Sequence, residues 1–109
     1  MHFPKLIETI CTDAPELVRL RREIHAHPEL CFQEQRTSDL IADALTRWGI
    51  PLHRGLGRTG IVGVLKRGTG GHAIGLRADI DALAVTESNE FSHASVYPGK
   101  MHACTGEKL

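Results

Sequence analysis

The hydrophobic period of this chain changes at Gly49, and that change limits the fold more than any other feature. Before it, apolar residues recur three and four apart, as on one face of a helix. After it they alternate or run together in short stretches, as in strands. Leu17, Leu20 and Ile24 make one helical face, and Leu40, Ile41, Ala44, Leu45 and Trp48 make a second. Asp13 is placed to cap the first helix, with Pro15 in its first turn and Glu16 at the capping-box position. Pro4 to Ile10 then forms a separate helical turn or two ahead of it. Pro28 closes the first helix, because it lacks an N–H donor and disfavours helix at His27. The second helix is expected from about Glu34 to Trp48, although Thr37, Ser38 and Asp39 could each cap a later start, with Gly49 a natural C-cap.

Beyond Gly49, Ile50 to Arg54 reads as a short strand. Ile61 to Lys66 and His72 to Ala78 are further strand candidates, and the glycine-rich link at 67–71 between them predicts a hairpin. The order α-α-β-β-β therefore predicts an α/β chain, two N-terminal helices packed on one side of a small, partial sheet. At 109 residues the chain holds at most one domain. With 41% hydrophobic and 5% aromatic residues its core is marginal, so it is expected to lean on a partner or on further sequence.

Charge and targeting signals narrow the function. Thirteen basic and thirteen acidic residues leave no net charge, so the electrostatic footprint of a nucleic-acid binder is missing. No apolar run approaches the roughly 18 residues that span a bilayer, and no signal-peptide pattern opens the chain, so neither nucleic acid nor membrane is an expected partner. Three widely spaced cysteines with no CxxC pair predict a reducing, cytoplasmic setting.

Chemistry-bearing residues concentrate between Gly75 and Cys104. An apolar strand, Ala73 to Leu76, runs into Arg77, Asp79 and Asp81, and the stretch ends on His102 and Cys104. A strand that delivers carboxylates at its C-terminal end is a common way to build a site in an α/β protein. Acidic residues in that position also cap turns, and Arg77 stands one pleat from Asp79 on the same face, where it can pair with it. His102 and Cys104 alone do not make a zinc site, which takes three or four protein ligands. Gly55, Gly57 and Gly60 spell GxGxxG, but a dinucleotide site needs a helix directly after the glycines. Here Ile61-Val62-Gly63-Val64-Leu65 follows, so a glycine turn between strands is expected. His25 and His27 are two apart on a helix and point to different faces; near its C-terminus they suit the helix dipole.

Taken together, LRREIHAHPELCFQEQRTSDLIADALTRWGI at 20–50, TGIVGVL at 59–65, GLRADIDAL at 75–83 and PGKMHAC at 98–104 resemble one family. It is that of the hippurate hydrolase-type metallo-amidohydrolases, within the wider aminoacylase and carboxypeptidase G superfamily. The resemblance implies an α/β catalytic domain holding two divalent metals, manganese or zinc, and hydrolysis of the amide bond of N-acyl amino acids by metal-activated water with a glutamate base. It places Asp79 at the active-site aspartate that orients metal ligands, and Cys104 at the thiolate ligand opening a Cys-Gly-His-Asp motif.

The departures from that pattern are as informative. Where the family continues Gly-His-Asp-Gly-His, this chain has Thr105-Gly106-Glu107-Lys108-Leu109, and Ala84 replaces the usual proline. The expectation is thus that residues 1–109 are the partial N-terminal portion of such a catalytic domain, with no second domain, truncated or frame-shifted inside its first metal motif. Alone, the chain is expected to bind no metal stably and to lack hydrolase activity. The competing expectation is a non-catalytic helix-and-sheet module that self-associates through an exposed sheet edge or binds a protein partner.

Overall fold

The computed structural model describes residues 3–103, in the order α1 (Phe3–Ala26), α2 (Gln35–Arg47), β1 (Leu52–Leu56) and β2 (Gly60–Gly63). The α/β arrangement of two helices and a small sheet is the one expected, with a two-stranded antiparallel sheet. No helix among the described residues is long and apolar enough to cross a membrane.

The first helix corrects one expectation. Instead of starting at Asp13, α1 runs unbroken through Asp13 and Pro15. Proline removes a single intrahelical donor, and on this exposed stretch water solvates the carbonyl left over. The Thr9 and Thr12 hydroxyls bond back to the carbonyls of Lys5 and Glu8, both at 3.0 Å, as threonines within a helix do. Only Leu20 of its apolar face is buried.

The second helix ends as expected. Gly49 takes φ 74° and donates to the Thr46 carbonyl, while Ile50 donates back to Leu45 at 2.9 Å. The pair forms a Schellman-type closure that a Cβ would strain. Its start is capped from a distance, because the N-cap residue Glu34 makes no side-chain bond to the helix. The Glu29 carboxylate takes that role, accepting the backbone N–H of Arg36 at 3.1 Å and of Thr37 at 2.6 Å. The face of α2 that is buried is made of small residues, Thr37, Ser38, Ala42 and Ala44, while Trp48 stays half-exposed.

The sheet corrects a second expectation. The hairpin joins β1 to β2, with Leu52 opposite Gly63, His53 opposite Val62 and Arg54 opposite Ile61, and residues 72–78 form no strand. The GxGxxG stretch is the turn between them. Gly57 and Arg58 take φ 57° and 76°, and Gly55 at 83° sits in the bulge between Arg54 and Leu56. Successive left-handed residues reverse a chain tightly with the twist of the flanking strands, whereas the longer, glycine-rich 67–71 link holds no register. The hairpin docks on α2 at Gly63, where a Cβ would lie 3.5 Å from the Leu45 side chain and 3.2 Å from that of Ile50 just past the helix. Arg54 reaches across to Ser38 and Asp39 at 3.1 and 2.5 Å.

Candidate functional site

Three distant segments are drawn together beyond the end of α1. The Ala82 N–H donates to the Glu29 carbonyl at 2.8 Å, and Leu83 and Met101 exchange two backbone bonds of 2.9 and 3.0 Å. These bridges, Leu30 with Ala82 and Leu83 with Met101, bring Asp81 and His102 together. The carboxylate-bearing segment and the His102 turn, both far from α1 in sequence, are thereby held by main-chain bonds. Sequence reading anticipated the two parts separately and missed the bridges that join them.

His102 is the unusual group here. Its Nε2 is buried and has no hydrogen-bond partner. Burial pushes its pKa below the usual histidine value and the nearby His25 adds to this, while Asp81 works against both. A buried, unpartnered ring nitrogen is costly and calls for an explanation, a catalytic role or a bound ion among them. Around it stands an aromatic and carboxylate cluster that no sequence pattern announced. His25 Nε2 lies 3.0 Å from Glu87 Oε1, and His25 meets Phe91 and His93 edge-on at 5.8 and 6.0 Å between ring centroids. Phe91 and His93 stack at 3.8 Å. The Ser95 N–H, 2.7 Å from Glu87, holds that carboxyl below its ordinary range, helped by His25 and Asn89. Desolvation and the positive charge of Arg22 push His93 down as well. His27 instead bonds the Glu23 carbonyl through Nδ1 at 3.0 Å, a helix-ending contact consistent with its dipole role.

Asp79 pairs with Arg77, Nη2 to Oδ1 at 2.5 Å, as the pleat spacing allowed. It borders an open groove of about 900 Å³ that Leu56, Ile61, Leu76, Ile80 and Asp81 also line. Cys104 lies outside the described residues. The free nitrogen of His102 suits one position of a metal site, but among the described residues no group of three or more His, Cys, Asp or Glu side chains is placed to hold an ion. The donor set therefore fits a fraction of a metal centre and not a whole one.

Two solved structures share this fold over most of the chain. A protein assigned as an aminohydrolase from methicillin-resistant Staphylococcus aureus superposes with a TM-score of 0.86 at 36% identity, over 94% of this chain and 28% of that one. The Bacillus subtilis YXEP protein, a dinuclear metal-binding peptidase of the M20 family, superposes with a TM-score of 0.78 at 38% identity, over 83% of this chain and 26% of that one. In sequence the chain is 41% identical over 99 residues to hippurate hydrolase of Campylobacter jejuni, which takes in 91% of this chain and 26% of the relative. No family model matches. The chain is homologous to the M20 family amidohydrolases, hippurate hydrolase and an N-acyl-L-amino acid amidohydrolase of Geobacillus stearothermophilus among them. It spans about a quarter of the length of the curated relatives it matches.

Proposed function

We propose that this chain carries the opening part of the metal-site framework of an amidohydrolase acting on N-acyl amino acids, and that it is catalytically silent without the remainder. The observation that carries this reading is the junction of 81–83 with 101–102, which leaves His102 Nε2 buried and unpartnered in a chain 41% identical to a hippurate hydrolase. In this reading Asp79 exchanges its bond with Arg77 for a part in orienting metal ligands, and Cys104 supplies a thiolate. Manganese or zinc would polarise the amide carbonyl and activate water in the whole enzyme. The described residues do not assemble enough ligands for that chemistry, so no hydrolytic step is assigned to them.

Two assays test the reading. Purified 109-residue chain supplied with manganese or zinc should not hydrolyse benzoylglycine. A chimera in which residues 3–103 replace the matching part of the Campylobacter enzyme should hydrolyse it, and Asp79→Asn should abolish turnover there without unfolding the protein. A folded, metal-loaded chimera indifferent to Asp79→Asn would overturn the assignment of that residue. Turnover by the short chain alone would overturn the claim of silence.

A further inference from the structure

We propose that Glu87 is a positioning residue: through His25 it fixes the ring of His102 at the opening of the metal-site framework. What that positioning serves rests on the amidohydrolase reading, whereas the coupling of the three side chains rests on geometry. Every group in the coupling lies between residues 25 and 102, so it is complete within the described residues.

Glu87 is the hub. Its side chain is 4% exposed and that of His25 13%. One carboxylate oxygen accepts the Ser95 N–H at 2.7 Å, the other accepts from Asn89 Nδ2 at 3.1 Å, and His25 Nε2 lies 3.0 and 3.1 Å from the two. The Ser95 N–H above all holds the carboxyl below its ordinary range. An ionised carboxylate only accepts, so His25 Nε2 carries a hydrogen and its ring is held in one orientation. A second tie lies beside the first, the Val96 N–H donating to the Ala26 carbonyl at 2.9 Å. The 87–97 loop is thus bonded to the last two residues of α1. Pinning a loop with a buried carboxylate costs desolvation that an apolar side chain would avoid. What the carboxylate adds is the direction of the His25 ring.

That ring meets His102, with centroids 6.3 Å apart and planes tilted by 38°. The Asp81 main chain favours a proton on the His102 ring, and since Nε2 has no partner among the described residues, the proton belongs on Nδ1. Nε2 then presents a buried lone pair, its direction set by the contact at Nδ1. Such a nitrogen stays unpartnered only while water is kept from it. Releasing the loop or turning His25 would loosen the ring and admit water. His102 stands two residues before Cys104, so a ring fixed in this way also fixes the approach to that position.

The test reads the imidazole nitrogen resonances of the 109-residue chain at neutral pH. In the parent, His102 should show one tautomer, Nδ1–H, exchanging slowly with water. Glu87→Ala should turn it into a rapidly exchanging mixture. The amides of Thr37 and Val64, bonded to Glu29 and Pro51, should stay protected and report an intact α2 and hairpin. Glu87→Gln keeps an oxygen for the Ser95 N–H and should retain the single tautomer. If Glu87→Ala unfolds the chain, His25→Phe decides, because it keeps a ring and deletes Nε2; the mixture is expected there too. A mixture in the parent, or one tautomer persisting in a folded Glu87→Ala or His25→Phe chain, would overturn the proposal. In the Campylobacter chimera, Glu87→Ala should weaken manganese or zinc binding about 10- to 100-fold in competition with a chelator. Unchanged metal affinity there would overturn the link to the metal site. A chimera inactive with Glu87 intact, beside a His102 signal that follows Glu87, would defeat the amidohydrolase reading and support the coupling.

Discussion

Removing the Glu29 carboxylate tests whether α2 is held from outside its own sequence. One oxygen of Glu29 accepts both the Thr37 N–H at 2.6 Å and the Thr37 hydroxyl at 2.7 Å, and the other accepts the Arg36 N–H at 3.1 Å. Thr37 is 1% exposed, so water cannot replace these partners without opening the helix start. Losing a cap costs about 0.5–2 kcal/mol, and orphaning a buried hydroxyl costs about 1–3 kcal/mol. Glu29→Ala should therefore destabilise the chain by about 2–4 kcal/mol, a large share of the ~5 kcal/mol at the low end for a domain of this size. Glu29→Gln keeps one acceptor oxygen for Thr37 but turns an amide N–H₂ toward Arg36 and removes the charge at the helix N-terminus. About 1 kcal/mol is expected from those losses. Urea unfolding followed by far-ultraviolet circular dichroism reads both, and amide exchange at Arg36 and Thr37 localises the effect. A cycle with Thr37→Val isolates the bond, since that change removes the hydroxyl that Glu29→Ala would orphan. Coupling near zero, or a Glu29→Ala variant as stable as the parent, would refute the assignment of Glu29 as the cap.

Three further outcomes follow from the same geometry. Gly60→Ala should break the β1–β2 pairing, because its Cβ would sit 2.4 Å from the Leu56 carbonyl oxygen, whereas Gly70→Ala, with nothing within 4 Å, should be silent; hairpin amide exchange separates them. Pro15→Ala should raise helicity and stability by up to about 3 kcal/mol, since α1 already runs through that position; an unchanged melt would contradict a continuous helix. Stability should rise steadily from acid to neutral pH. Arg19, Arg36 and Arg54 hold Glu16, Glu23 and Asp39 below their usual values, the Ser95 amide does the same for Glu87, and burial lowers His93. Each of these groups binds protons less readily folded than unfolded. The histidine contribution is thus lost as pH falls through the folded value below 6.5, and the carboxylate contributions as it falls below 4.5. A urea midpoint that moved upward on acidification would reverse that sign.

Local signals proved readable where one short stretch decides the outcome. The apolar spacing around Leu40 to Leu45 and the left-handed Gly49 placed α2 within a residue at each end. The same logic misled at Asp13, because an Asp-x-Pro-Glu pattern satisfies a capping box and a helix interior alike, and the context of α1 chose the interior. Strand pairing was less readable. Two apolar runs of similar quality competed for Ile61 to Val64, and the tight turn through Gly57 and Arg58 outweighed the looser glycine link at 67–71. Least readable were the carboxylate contacts. Glu34 accepts the buried Thr59 hydroxyl at 2.5 Å across 25 residues, and His25 meets Glu87 across 62. No periodicity spans such distances. At the candidate site, the strand-end carboxylates were visible in sequence, whereas the meeting of Asp81 with His102 depended on two backbone bridges. The reading of function came from resemblance, since Asp79 taken by itself is a residue paired to Arg77.

These contacts divide the molecule unevenly, and the division bears on what it can do. On the helical side three acids each have a donor: Glu29 holds α2, the buried Glu34 holds the hairpin turn through Thr59, and Glu87 holds the 87–97 loop against His25. On the other side lie the bare backbone of 65–80, the exposed Ile74 and Leu76, and the unpartnered nitrogen of His102. Asp79 and Asp81 sit on the boundary, where the chain returns from the open half to the satisfied one. Any polypeptide that pairs with 74–80 must therefore approach the carboxylates as it does so. Covering that segment and changing the surroundings of Asp79 are therefore one structural event.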